Sequence, residues 1–436
     1  MSPSPPPPPP PTAASPVWDR THRRYHGLDF IRASMMMLGV VLHTALVYLP
    51  TDKLPGAWLY QDPDSSPVMS VLLAQVIHIF RMPVFFVMAG FFGAMLFERK
   101  GVGTFFIHRF DRIVIPLVIG WFVLYPLFCW SLSFALTYSL IPAGGGALAE
   151  AFERMSFDAD FGNSGPLHLW FLYYLVYFYV VFGALTVLIR RFAGPLVRPF
   201  RYCISGIVTG RCRWLRMPIL VAVTTPLMLT MAEPGLDTPM GWAPVWHILA
   251  VYSVYFGVGW IVYEHREVVV QLERWSWARL FLSIVLLAVA LVLTFHYKST
   301  TADWKAGSPI IDLGLLFCLI QLVEVASVWL LVLALTGVCE RLFRSEVSWV
   351  RYLVDASYWI YLMHLPLTLF IPGLFRYWNI DGTVKMFVMM ALVTIPLIIT
   401  YHLLVRGTAV GVVLNGRRYP VWPFSHKRRP APQPME

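Results

Sequence analysis

The stretch Leu28–Leu49, LDFIRASMMMLGVVLHTALVYL, decides the fold class. It is twenty-two residues long and overwhelmingly apolar, longer than the roughly 18 residues that mark a membrane-crossing helix. Two charged residues and a histidine interrupt it: Asp29, Arg32 and His43. Eleven residues separate Arg32 from His43, and eleven steps of about 100° bring the two back within roughly 20° of one another. They share one stripe, about 16 Å apart along the axis. Asp29, three residues before Arg32, is placed to pair with it. Charges and imidazoles are costly inside a bilayer, so two on one stripe point to a polar cavity.

The rest of the chain follows the same pattern. Of its 436 residues, 58% are hydrophobic and 13% charged, against roughly 25% charged in an ordinary soluble domain. Too little polar surface exists to cover an aqueous fold, and in lipid each backbone amide must be satisfied within its own segment. An all-α polytopic membrane protein of about ten helices is the consequence. The spans fall at Leu28–Leu49, Val68–Phe97, Ile113–Leu136, Leu167–Ile189 and Met217–Ala232, then Trp246–Tyr263, Leu280–Phe295, Ile310–Val338, Val354–Phe375 and Met386–Val405.

Basic residues orient these spans. With the N-terminus inside, 26 of the 34 Lys and Arg fall in inner segments and six in outer ones, Arg32 and Arg81 lying within spans. That asymmetry is the positive-inside pattern and puts both termini in the cytoplasm. The net charge of +10 is then a membrane-surface signature, and nucleic acid is not an expected partner. Residues 1–24, with Pro3 and Pro5 to Pro11, read as a disordered proline-rich tail. Residues 25–406 read as the membrane domain, and 407–436 as a basic cytoplasmic tail. Cys129, Cys318 and Cys339 fall within or at the ends of spans, and Cys203 and Cys212 in an inner loop, so no disulfide framework is implied. The histidines are scattered singly over different spans, without a metal-ligand set.

Further polar groups stand where lipid should exclude them. His78 and Arg81 share a face of the second span, ahead of Pro83 and of Ala89–Gly90, whose small size permits close helix approach. Arg109 and Arg112, at i and i+3, can clamp a phosphate; ordinary inner-face anchoring is the bland reading. His168 opens PLHLWFLYYL beside Trp170, Tyr173 and Tyr174, which by themselves read as an interfacial aromatic belt. His364 lies mid-span, one turn from Tyr361. Glu324, deep in its span, calls for a histidine or arginine partner.

Taken together, Arg32 and His43 (Arg-x10-His), Arg109 and Arg112 (Arg-x-x-Arg), and the segments FRMPVFFVMAGFF, HLWFLYYL and ASYWIYLMHLPLTLF resemble the membrane-bound acyltransferase 3 family, over about Tyr25 to Arg406. Within it, the chain is most similar to the glucan-biosynthesis branch. The resemblance implies a bacterial inner-membrane enzyme that transfers an acyl group, succinyl or acetyl, from cytoplasmic acyl-CoA to a hydroxyl of an extracytoplasmic glycan, a periplasmic glucan in that branch. Acyl-CoA is then a donor substrate and no cofactor is bound. Arg109 and Arg112, with Arg32, would hold the CoA phosphates, and His43 would act as general base, for which imidazole suits neutral pH. Arg81, His168 and His364 become candidates to stabilise the oxyanion. A secondary transporter or glycan flippase is the rival reading, since intramembrane Arg and His also mark transport paths.

Overall fold

Apolar runs with no outside partner for their amides coil into helices. The computed structural model describes residues 25–51, 58–157, 159–161, 164–239, 241–304, 313–416 and 418–419, and the protein is an all-α polytopic membrane protein. The N-terminal tail expected over 1–24 lies outside the described residues. Helix α1 is His26–Val47, α2 Met69–Arg109, α3 Ile115–Leu140, α4 Ala147–Arg154, α5 Trp170–Phe192, α6 Gly194–Val208 and α7 Arg216–Met228. Helices α8 Trp246–Glu264, α9 Glu267–Glu273, α10 Ser276–Trp304, α11 Leu313–Leu342, α12 Ser348–Leu374, α13 Gly382–Thr400 and α14 Ala409–Asn415 complete the order. Among the described residues, eight helical segments are long and apolar enough to cross a bilayer.

One of the eight, Met69–Leu140, runs for 72 residues, which as a straight rod would span more than three bilayer cores. It is not straight. Gly101 takes φ 77° and ψ 171°, outside helical space and in a region that favours glycine. Beyond it the Arg109 guanidinium donates to the Phe92 carbonyl at 3.1 Å, although 17 residues of unbroken helix would separate them by about 25 Å. The chain therefore reverses at Gly101, and the second and third expected spans become two arms of a hairpin. A π-helical turn, Phe110–Val114, joins the returning arm to α3.

The fifth expected span, Met217–Ala232, forms only the 13-residue α7. At about 1.5 Å per residue it falls short of a bilayer core. Turns anchored on the buried Gln321 extend it: Gln321 donates to the Met228 carbonyl at 2.8 Å and accepts from the Gly235 amide at 3.2 Å. Non-helical backbone is tolerated at membrane depth when protein satisfies it in this way.

Close packing follows the small residues. At Gly90 an added Cβ would strike the Phe256 carbonyl, and at Gly259 the Val87 carbonyl, so α2 and α8 meet backbone to backbone. Helix α1 packs against α2, α11 and α12. Trp170 and Tyr174 are buried in the aromatic core, at 6% and 0% exposure, and do not form the lipid-facing belt that their sequence suggested. Tyr174 accepts a hydrogen bond from the Val245 amide, and Tyr173 donates to the Trp242 carbonyl. Within the segment read as a basic tail from 407, Ala409–Asn415 form α14, which ends at Gly416 in the left-handed region (φ 74°) and packs back on α12.

Candidate functional site

Two polar cavities open toward opposite ends of the helix bundle. At the arginine-rich end a cavity of about 590 Å³ is lined by Arg32, Arg99, His108, Arg109, Arg112 and Arg351. Arg32 pairs with Asp29 at 3.5 Å, as the sequence led us to expect, and lies 5.1 Å over the Phe92 ring. Arg351 pairs with Asp355 at 3.0 Å. Arg109 and Arg112 are held differently. The Arg109 guanidinium stacks 4.3 Å over the Tyr179 ring while donating to Phe92. Arg112 donates to the Leu414 carbonyl at 3.0 Å, and its own carbonyl accepts from the Tyr358 hydroxyl at 2.9 Å. Neither guanidinium has a carboxylate within ion-pair distance among the described residues. Carbonyls orient a guanidinium without neutralising it, so two full positive charges face this cavity. Their chemistry suits an anionic ligand. The hairpin reversal and the π-helical turn bring the pair here, a local irregularity frequent at functional sites.

The second cavity, of about 830 Å³, is lined by His43, Trp58, Gln75, His78, Arg81, His168 and Tyr361. Helices α1, α2, α3, α5, α10 and α12 contribute, with the turn that opens α5. His78 donates to the Leu236 carbonyl at 3.1 Å, a contact made possible by the turns after α7. His364, 1% exposed, stands behind the wall of this cavity with its ring 5.1 Å from those of both His43 and His168. The His364 Nδ1–H donates to the Tyr361 carbonyl at 2.6 Å, which leaves Nε2 as a buried lone pair without a partner. The His168 Nε2–H donates to the Leu362 carbonyl at 3.0 Å and leaves Nδ1 unpartnered. Trp58 packs 5.4 Å from the His43 ring. Arg81 makes no ion pair with any described residue and turns its charge to the cavity.

His43, His78, Arg81, His168 and His364 thus converge. His168, which in sequence resembled an interfacial anchor, is buried among them. Glu324 does not join: it lines neither cavity, and no described histidine or arginine lies within ion-pair distance. It is 3% exposed, with its carboxylate near the turn at Gly235.

Sequence reasoning missed Gly39. On the stripe of Met36 and His43, its missing side chain leaves room for the Arg81 Nη1 and His364 Nε2, which lie 3.0 and 3.1 Å from where a Cβ would sit. One glycine in an apolar run carries no signal of that. Arg32 and His43 do share a stripe, yet each lines its own cavity. Between the cavities stand Met36, Phe85 and Phe171, which line both, with the two phenylalanines edge to face at 4.4 Å.

The family described as "Acyltransferase domain" matches residues 25–402 of the chain. Among curated proteins, Glucans biosynthesis protein C of Salmonella schwarzengrund (strain CVM19633) and of Salmonella heidelberg (strain SL476) are each 26% identical over 353 residues, covering 80% of this chain and 83% of theirs. No solved structure is significantly similar to the chain.

Proposed function

The chain belongs to the acyltransferase family whose domain spans residues 25–402, and from that premise we propose that it moves an acyl group, succinyl or acetyl, from cytoplasmic acyl-CoA to a hydroxyl of an extracytoplasmic glucan. The glucan acceptor is suggested by the relatives named for glucan biosynthesis. A bacterial cytoplasmic membrane, with both termini inside, suits a donor confined to the cytosol. One observation carries the reading: an arginine-ringed cavity and a histidine-ringed cavity approach from opposite ends and share a single wall.

The division of labour follows from the chemistry of each end. Arg109, Arg112 and Arg32 hold the CoA phosphates, bidentate where geometry allows. The flexible thioester arm passes Met36, Phe85 and Phe171 to reach the second cavity. There His43 removes the proton of the acceptor hydroxyl as its oxygen attacks the thioester carbonyl carbon. Negative charge grows on the carbonyl oxygen, and Arg81, the unpaired cation at the same spot, stabilises it. Collapse breaks the C–S bond, the ester remains on the glucan, and the sulfur leaves with the proton returned by His43 as CoA.

Purified protein incubated with acyl-CoA and soluble glucan tests this. Free CoA and a glucan heavier by one acyl group are expected, in equal amounts. CoA released without acylated glucan rejects the acceptor, and no release at all rejects the donor.

A further inference from the structure

We propose that residues 409–416 together with Tyr419, beyond the end of the family match at residue 402, form a recognition strap that completes the cavity at the arginine-rich end and gives its bound phosphate an extra hydrogen-bond donor, the Asn415 side-chain amide. The inference rests on reading that cavity as the acyl-CoA donor site.

The strap is tied down along its length. The Leu414 carbonyl accepts from Arg112 at 3.0 Å. At Gly416 an added Cβ would meet the end of the Arg112 side chain and push it aside, and the left-handed backbone there (φ 74°) favours glycine in its own right. Further on, the Tyr419 hydroxyl accepts from Arg351 at 2.7 Å and donates to Asp355 at 2.8 Å. The Tyr419 amide donates to the Arg406 carbonyl at 3.0 Å, and its ring packs 5.2 Å from the Arg406 guanidinium. Leu414, Asn415 and Tyr419 all line the cavity.

Among the described residues the Asn415 Nδ2 is buried with no hydrogen-bond partner, while Asn415 itself lines the cavity. Buried donors are almost always paired, so a ligand in the cavity that brings an acceptor would complete this one. The neighbouring Arg109 and Arg112 carry charge that no carboxylate offsets, so the acceptor that fits is an anionic oxygen, and a phosphate offers several. A plug that occludes the site is the opposite reading. It fits poorly, because about 590 Å³ stays open with the strap in place. Leu414 also occupies one of the five guanidinium N–H groups of Arg112 and leaves its charge intact.

Equilibrium binding of coenzyme A to the full-length, detergent-solubilised protein is the test. Asn415→Ala should weaken binding several-fold. Asn415→Asp, equal in size but bearing a carboxylate, should weaken it at least tenfold, about 1.4 kcal/mol. Melting temperatures should hold in both variants, since the Nδ2 makes no bond that either removes. A merely structural role would lower both melting temperatures and would not set Asp below Ala. Unchanged affinity in Asn415→Asp overturns the strap while leaving the donor site standing. A stop codon after Thr408 should also weaken binding, and tighter binding there would make the strap a plug. An unaltered chain that fails to bind CoA overturns the strap and the donor reading together.

Discussion

His43 and His364 sit ring against ring, but their surroundings fit them for different tasks. His364 is locked as one tautomer by the Tyr361 carbonyl, whereas the His43 Nδ1 is buried without a partner and its ring lines the cavity. As the base proposed above, His43 is the residue whose loss should be felt in chemistry alone. His43→Ala should cut transfer by about 10²–10⁴ with CoA affinity preserved. His43→Gln, which keeps size and hydrogen bonding, should fold as well as the native chain and stay inactive; a working glutamine variant sinks the assignment. Gly39 gives a second, sharper case. Alanine is the better helix former by about 1 kcal/mol, so Gly39→Ala should melt no lower than the native protein. Its new methyl group would nevertheless displace Arg81 and His364, and a roughly tenfold fall in turnover, about 1.4 kcal/mol of barrier, is expected. Native turnover would show that neither displaced group takes part. The spacing of Arg32 and His43 could be read along one helix, because helical geometry is local. Gly39 could not, because its meaning depends on side chains from α2 and α12.

At the level of elements, the sequence announces apolar length well and backbone interruptions poorly. The hairpin was legible because two apolar runs flank a basic stretch. Its turn at Gly101 and the π-helical turn that aims Arg112 were not, since composition does not record where a helix slips out of register. Lys385 shows the same limit. Counted by sequence as an outer surface charge, it is 0% exposed and holds Asp62 at 2.9 Å and Asp64 at 2.8 Å, tying the segment after α1 to the start of α13. Burial raises the Asp62 carboxyl above its ordinary range, and Lys385 opposes that rise. Lys385→Met would strand a buried carboxylate at a cost of about 3–5 kcal/mol near neutral pH. With its partner gone, the Asp62 pKa in the fold would rise further above its unfolded value. The stability it contributes is then complete below the unfolded value and lost as pH climbs through the folded one. The melting deficit of the variant should therefore be smallest near pH 4 and grow toward pH 7. A deficit that is flat with pH would mean that Asp62 is not the stranded group.

For the whole molecule, the division of charge between the two ends was the most readable property, because positive-inside asymmetry sums over every loop. It sets the orientation proposed above, and nature has supplied the probes. Cys203 and Cys212 are exposed in the basic segment around α6. A membrane-impermeant maleimide should label them in inside-out vesicles and spare them in intact spheroplasts. Labelling from outside the cell would invert the topology and, with it, the sidedness assigned to donor and acceptor. What no sum over loops could disclose is how deeply the two cavities penetrate before they meet their common wall, a matter of tertiary packing alone.

That wall has an electrical consequence. A membrane voltage drops where the insulation is, and two cavities filled with water from opposite faces, as the proposed reaction requires, would leave little more insulation between them than Met36, Phe85 and Phe171. The field that lipid spreads over a core about 30 Å thick is concentrated there into the depth of a few side chains. One elementary charge crossing it exchanges about 2.3 kcal/mol with each 100 mV of potential. In the proposed reaction an acyl group that carries a carboxylate would make that exchange in a single short step, and an uncharged one would not feel it, so the energised state of the cell would be a partner for one class of donor and a bystander for the other.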